Sequence, residues 1–272
     1  MNWKRIFWGS VGIGGGMLAY GALVEARRLV VDRVHVPLDD WPSRLNGFRI
    51  AVLGDFHVSG RQSAVLARRA VELALDELPD MVCLVGDFVR NWKPSVIPLL
   101  GDVLEPLLAM EGSVVAVPGN HDYEDGQADL LYPIMDELNI RLLRNETWRH
   151  LGIDWVGIDS FVEGYARPEE AFKGAKQGPR VVLWHEPDLV WRLPEPASLQ
   201  LSGHSHGGQF VFPGGWAPMH TKHGERYVDG FYPEAPTPIF VTRGVGTTFL
   251  PSRFLCPPQV AILTVTGRDA IG

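Results

Sequence analysis

Asp, His and Asn side chains recur in this chain at the points where apolar, strand-like runs stop. Ile50-Ala51-Val52-Leu53 leads into Gly54-Asp55-Phe56-His57, and the run from Met81 to Val85 leads into Gly86-Asp87. Val114 to Val117 leads into Pro118-Gly119-Asn120-His121-Asp122. Val181 to Trp184 ends at His185, and Leu199-Gln200-Leu201 precedes Gly203-His204-Ser205-His206. Carboxylate, imidazole and carboxamide groups are together ligands for divalent metal ions. Open sheets carry their sites in loops beyond the carboxyl ends of their strands. The pattern predicts a metal-dependent hydrolase. Each motif alone is weak, because a Gly-Asp pair after a strand is commonly a turn, and so is an Asn-His with a capping asparagine. The joint occurrence carries the reading.

These side chains meet only if the runs lie side by side. Leu29 to Val36 alternates as an edge strand does. Arg61 to Leu78 is predicted helical, with Ala67, Val71, Ala74 and Leu78 sharing one face. A second helix is expected from Pro94 to Met110, interrupted by Gly101 and Pro106, and a third from about Gln127 to Asn139. The first half is then β-α-β-α-β-α, the pattern of a parallel crossover sheet. The second half offers short strands at Ile153–Ile158, Arg180–Leu183, Leu199–Leu201, Ile239–Thr242 and Val260–Thr266, with one short helix around Pro168 to Gly174. Two sheets packed face to face with helices outside, a four-layer αββα sandwich, accommodate both halves.

Size permits this. The chain has 272 residues, 46% of them hydrophobic, enough for one domain with a full core. A net charge of −7 speaks against neutralising many nucleic-acid phosphates, so no nucleic-acid partner is expected. The 2 cysteines give no disulfide framework: Cys83 falls in an apolar strand run and Cys256 in a Pro-rich turn.

Residues 1–28 stand apart from the catalytic body, 29–272. Lys4 and Arg5 precede an uncharged stretch from Ile6 to Val24, closed by Glu25 and Arg27-Arg28. A helix of that length spans roughly 28 Å, against a bilayer core of about 30 Å. The expectation is an N-terminal hydrophobic helix acting as a single-pass anchor in the cytoplasmic (inner) membrane. A cleaved export signal and a buried helix of a soluble protein are the alternatives. Lys4-Arg5-Ile6-Phe7 resembles a twin-arginine signal with lysine in place of the first arginine, and Ala19-Tyr20-Gly21 is a mediocre cleavage site.

The ordered set Asp-x-His, Gly-Asp, Gly-Asn-His-Asp, strand-end His and Gly-His-x-His resembles that of the calcineurin-like metallophosphoesterases, over about residues 48 to 266. The resemblance implies an αββα sandwich around two divalent ions. Asp55, His57 and His206 would hold one ion, Asn120, His185 and His204 the other, and Asp87 would bridge both. His121 would be the non-ligand acid or phosphate-contacting group, steadied by Asp122. A shared carboxylate screens two ions about 3.5–4 Å apart, which lower the pKa of a bridging water from 15.7 towards neutrality and make hydroxide available for in-line attack. Mixed oxygen and nitrogen ligands suit Mn, Fe or Zn.

Two branches of the family are argued away: Arg90 stands where purple acid phosphatases have a tyrosine, and the Asp-Arg-Gly run of the protein phosphatases is lacking after Gly86-Asp87. Gly203-His204-Ser205-His206-Gly207-Gly208-Gln209, with Arg243-Gly244-Val245-Gly246-Thr247 and Pro251-Ser252-Arg253-Phe254, is similar to the bacterial membrane-associated YaeI/YkuE-type group. That likeness implies a phosphodiesterase or pyrophosphatase acting on lipid-linked substrates such as UDP-diacylglucosamine. Alternatives are a soluble exported nucleotide phosphodiesterase and a non-catalytic metal-binding scaffold at the membrane. Arg90 is placed to meet a second phosphate or a diester oxygen. Trp92, Phe210 and Phe212 either flank the mouth or pack in the core; Trp216, His220 and His223 either form a rim or are solvated.

Overall fold

The apolar runs do form strands, and both faces of the sheets they build are covered. The computed structural model describes residues 3–176 and 178–268, in which the strands make two six-stranded sheets. The first sheet holds β1 (Val30–Leu38), β2 (Phe48–Leu53), β3 (Met81–Leu84), β4 (Val114–Ala116), β5 (Arg141–Leu142) and β12 (Gln259–Gly267), in the order β1-β12-β2-β3-β4-β5. The second holds β6 (Glu146–His150), β7 (Ile153–Ile158), β8 (Arg180–Trp184), β9 (Leu199–Ser202), β10 (Gly230–Tyr232) and β11 (Ile239–Val241), in the order β10-β11-β9-β8-β7-β6. Strands β2 to β5 are mutually parallel, as are β7, β8, β9 and β11. β12 pairs antiparallel to β2, with Leu263 opposite Ile50.

Alternation of side chains divides the apolar residues between layers. In β2, Ile50 and Val52 enter the core between the sheets, while Ala51 and Leu53 face the helices; in β3, Met81 and Cys83 separate in the same way from Val82 and Leu84. In β8, Val181 and Leu183 face the first sheet, and Val182 and Trp184 face outward beneath a second helical layer. A strand buried on both faces reads as one unbroken apolar run, which is why these runs showed so plainly in the sequence. α2 (Arg61–Asp76) lays Ala64, Ala67, Val71 and Ala74 on the first sheet, and α3 (Ile97–Leu104) and α4 (Leu131–Glu137) complete that layer. α5 (Pro168–Phe172) and a 3-10 turn at Pro187–Arg192 cover the second sheet with Phe172 and Leu189. The four αββα layers are those expected.

Differences from expectation lie at element ends. The second helix stops at Leu104 and tightens into a 3-10 turn over Glu105–Met110, because Pro106 supplies no backbone donor. The third contracts to α4, preceded by a 3-10 turn at Ala128–Leu130. Leu78 does not join the buried face of α2: the helix ends at Asp76, and Leu78 is exposed with φ 52°. Strands β5, β6 and β10 escaped the sequence reading, being two residues long, polar, or three residues long.

A helix α1 (Trp3–Leu23) does form at the N-terminal end. Among the described residues, however, no helix is long and apolar enough to cross a membrane, so the apolar span expected there is not met. Gly9, Gly12, Gly14, Gly15, Gly16 and Gly21 dilute it. Residues 1 and 2, residue 177, residues 269–272 and the side chains of Lys4, Arg5, Ile6, Ser10, Ile13 and Asp125 lie outside what the structure describes. The last turns of α1 are docked on the catalytic body: the Ser252 hydroxyl donates to the Leu18 carbonyl (3.2 Å) and the Arg253 amide to the Gly21 carbonyl (3.3 Å).

Trp155 is fully buried between the sheets, with its ring centroid 6.4 Å from that of Phe48. Trp155→Ala should lower unfolding stability by about 3–5 kcal/mol, read from urea midpoints of metal-loaded protein. An unchanged midpoint would show that the two sheets do not share a core at this position.

Candidate metal centre

Loops leaving parallel strands of both sheets close over one point. Those after β2 and β3 stay zipped together beyond the strands, with the Asp55 amide donating to the Gly86 carbonyl (2.9 Å) and the His57 amide to the Asp87 carbonyl (3.1 Å). The loop after β9 is drawn in by Asp55, whose carboxylate accepts the His204 amide at 3.1 and 3.2 Å. From β8, the His185 ring reaches across to donate Nδ1–H to the Val85 carbonyl (2.6 Å).

Single ligand atoms of Asp55, His57, Asp87 and His206 lie within 4.8 Å of one another, all four residues buried. Asp87 Oδ2 is 3.4 Å from His57 Nε2 and 3.3 Å from His185 Nε2, so one carboxylate faces both expected halves of the centre. His204 stands beside His185, ring centroids 4.9 Å apart. Asn120 immediately precedes His121, whose amide donates to Asp87 Oδ1 at 2.9 Å.

Chemistry of the donor set fits divalent cations. Asn120 Oδ1 and His185 Nε2 are buried without a hydrogen-bond partner, although buried polar atoms are normally satisfied, and His57 and His206 turn their Nε2 atoms to within 3.0 Å of each other. Two rings have their tautomers fixed by carbonyls. His185 gives Nδ1–H to Val85, which leaves the lone pair on Nε2 beside Asp87; His204 gives Nε2–H to the Lys222 carbonyl (2.9 Å), which leaves it on Nδ1. A carbonyl on the far ring nitrogen is the usual way a metal-binding histidine is oriented. Residues Asp55, His57, Asp87 and His206, with Asn120, His185 and His204, could hold two ions.

Electrostatics depend on the carboxylates' neighbours. Burial pushes the Asp87 carboxyl up, but the charges of His185 and His57 outweigh it and hold it well below the usual carboxylate range. Burial dominates at Asp55 and raises it. Burial, aided by the charge of His185, lowers His204 to about 4, which keeps its ring neutral as a ligand must be.

The expectation for Asp122 needs correction. Asp122 does not steady the His121 ring. It sits fully buried beneath the bridging loop, where its oxygens accept the amides of Asp87 (2.9 Å), Phe88 (2.8 Å), Val89 (3.2 Å) and Gly119 (2.8 Å). Its contacts are those of a group that positions Asp87. Glu124 takes the role foreseen for it, with Oε1 2.7 Å from His121 Nδ1. His121 itself is half-buried and edge-on to His57, ring centroids 4.7 Å apart. Trp92 is a core residue donating to the Asp122 carbonyl (2.8 Å), and Phe210 is buried, so neither flanks the mouth. Phe212 is half-buried against Trp216, ring centroids 5.5 Å apart, and Trp216 and His220 are exposed. His223 packs edge-on against Phe161. Arg90 donates to the Phe249 carbonyl (3.2 Å) and borders a cleft next to His57.

Sequence reasoning missed Arg253. Its guanidinium is fully buried and donates to the carbonyls of Arg243 (2.8 Å), Gly246 (3.0 Å), Cys256 (3.2 Å) and His206 (3.4 Å). It ties the loop of a candidate ligand to the loop that receives α1. An arginine amid Pro-Ser-Arg-Phe carries no local sign of burial, so only the fold reveals it.

Two sheets with ligand-bearing loops at one edge, sharing a buried carboxylate between them, define a binuclear phosphoesterase. Residues 48–208 match the family profile of the calcineurin-like phosphoesterases, and the chain belongs to that family. It is a metal-dependent phosphoric ester hydrolase, of a family that uses a binuclear divalent metal centre. Among curated relatives, it is 27% identical to the uncharacterized metallophosphoesterase YkuE of Bacillus subtilis over 94% of this chain and 92% of that one. It is 32% identical to the phosphodiesterase YaeI of Escherichia coli over 79% of this chain and 81% of that one.

Asp122→Ala leaves four buried amides without their acceptor. It should cost about 3 kcal/mol or more in a urea melt and lower the metal content measured by elemental analysis, with Asp122→Asn intermediate. Full metal content in the alanine variant would show that the Asp87 loop holds itself.

Proposed function

We propose that this chain hydrolyses phosphodiester or pyrophosphate bonds at a two-metal centre. The carrying observation is the buried Asp87 carboxylate facing His57 and His185 from opposite sheets, with unsatisfied ligand atoms around it. Bound there, two divalent ions supply Lewis acidity towards a phosphoryl group and make water more acidic. Everything else falls to the chain. Asp87 is presented by the Asp122 cradle, and His185 and His204 are held by carbonyls with one lone pair each free. With Nδ1 tied to Glu124, His121 offers Nε2 to the phosphoryl or leaving-group oxygen, where it can donate a proton. The neutral carboxamide of Asn120 limits negative charge at a centre that must attract an anion. Mn, Fe or Zn fits the mixed oxygen and nitrogen donors.

Association with a membrane through α1 belongs to the same proposal, as do lipid-linked phosphate substrates. Exposed Trp3, Phe7 and Trp8 along α1 support it, since aromatic rings favour the membrane–water interface. Cell fractionation with sequencing of the mature N-terminus tests it: recovery in the soluble fraction after removal of α1 would favour the exported nucleotide phosphodiesterase instead.

Asp87→Asn should reduce hydrolysis of bis-p-nitrophenyl phosphate about a thousandfold or more while the circular dichroism of the fold is kept. Retention of full activity would sink the assignment. His121→Gln should lower kcat by about 10²–10⁴ with metal content unchanged, which separates an acid or phosphate contact from a ligand. Metal-replete wild-type protein that cleaves no monoester, diester or pyrophosphate would favour a binding scaffold.

A further inference from the structure

A cleft of about 890 Å³ opens beside the metal centre, with the candidate ligand His57 in its lining. That volume falls in the ordinary range for small-molecule sites. The start of α2 contributes Arg61, Val65 and Leu66 to its lining, and the segment leaving α1 contributes Leu23 and Arg27. Arg90 and Pro251 also line it.

Its charge is unlike that of the rest of the molecule. The chain carries a net −7, yet among the described residues no Asp or Glu lines this cleft, and three arginines do. Arginines elsewhere are commonly paired, Arg33 with Glu77, Arg68 with Glu105 and Arg141 with Glu146. Among the described residues, Arg27, Arg61 and Arg90 make no ion pair. The carboxylate nearest in sequence to Arg27 is already taken: Glu25 is buried and accepts from Tyr20 (3.1 Å) and Arg28 (3.5 Å). Leu23, Val65, Leu66 and Pro251 add apolar surface, beside the polar Ser59, Gln62, Ser63 and Thr247.

We propose that Arg27, Arg61 and Arg90 form a second anion subsite, which selects substrates bearing another acidic group beside the scissile phosphate, with an apolar moiety against Leu23 and Val65. This deepens the proposed phosphoesterase reading and rests on it. Guanidinium groups are suited to phosphate through paired donors, and uncancelled positive charge within a cleft concentrates an anionic ligand there. Because Arg27 lies just past α1, the N-terminal helix contributes a wall of the site. Its docking through Leu18 and Gly21 onto Ser252 and Arg253 fixes that wall in place.

The test compares one acidic group with two. Full-length metal-loaded wild type, the Arg27→Gln/Arg61→Gln double variant and its Lys/Lys counterpart are assayed on bis-p-nitrophenyl phosphate and on UDP-glucose. Binding of methylenediphosphonate and of methylphosphonate is measured in parallel by calorimetry. The Gln variant should lose about tenfold or more in kcat/KM for UDP-glucose relative to the diester, mainly in KM, and a similar factor in methylenediphosphonate affinity relative to methylphosphonate. The Lys variant should recover part of both. Unchanged ratios in active, folded variants overturn the subsite. A wild type inactive on both esters, but with methylenediphosphonate affinity still dependent on Arg27 and Arg61, overturns the hydrolase reading and keeps the subsite. Loss of neither activity nor affinity ratio on charge removal leaves the cleft a bystander.

Discussion

One carboxylate joins the two halves of this molecule. Asp87 leaves the first sheet after β3 and meets His57 of that sheet and His185 of the second at nearly equal distances. No covalent link or long connection brings those groups together; the packing of the two sheets does, through the core around Trp155, Ile50 and Leu183. The site and the sheet-to-sheet core therefore share one geometry. A shift between the sheets would move His185 relative to Asp87.

Convergence at that carboxylate is costly in backbone terms. Asp55, His57, Asp87, His204 and His206 all take left-handed conformations, with φ of 49°, 46°, 54°, 70° and 53°. Each such L-residue costs about 1–2 kcal/mol. The conformations persist because neighbouring loops hold them. Asp122 gathers the amides on either side of Asp87, and Asp55 itself captures the His204 amide. Space is as tight as the backbone: a Cβ on Gly119 would lie 2.2 Å from Asp87 Oδ1, and one on Gly203 would lie 2.5 Å from Asp55 Oδ2. Those glycines let a second loop approach a carboxylate to within contact. Strain gathered at a functional site and supported by the surrounding structure is the expected pattern.

Much of this was legible in the sequence because strands buried on both faces leave unbroken apolar runs, and each run ended on a ligand type. Asp55, His57, Asp87 and His206 were named and are found together, and His185 reaches Asp87. What was illegible depends on the third dimension. Glu124 and Asp122 are two residues apart, and only the 3-10 turn at His121–Gly126 decides which carboxylate meets the imidazole and which turns beneath the loop. Arg253 stood in the sequence only as part of Pro251-Ser252-Arg253-Phe254, with no sign that it is buried whole. For Trp92 the sequence left a mouth and a core position open, and the fold takes the core one, with its indole N–H holding the Asp122 carbonyl.

The N-terminal helix shows how far a local reading can stray from a structural one. Judged by apolarity it read first as an anchor or an export signal standing apart from the catalytic body. Its contacts say otherwise. Gly21 lies so close to the Ser252-Arg253 segment that a Cβ there would meet Ser252 Oγ at 2.2 Å, and the next residue, Arg253, donates to the carbonyl of His206. Two hydrogen-bonded steps thus separate the end of α1 from a candidate ligand. A buried guanidinium with several carbonyl partners is stiff, since any displacement leaves donors unsatisfied. A helix docked at that point therefore bears on the ligand loop as well as on the cleft wall, and its removal would disturb both.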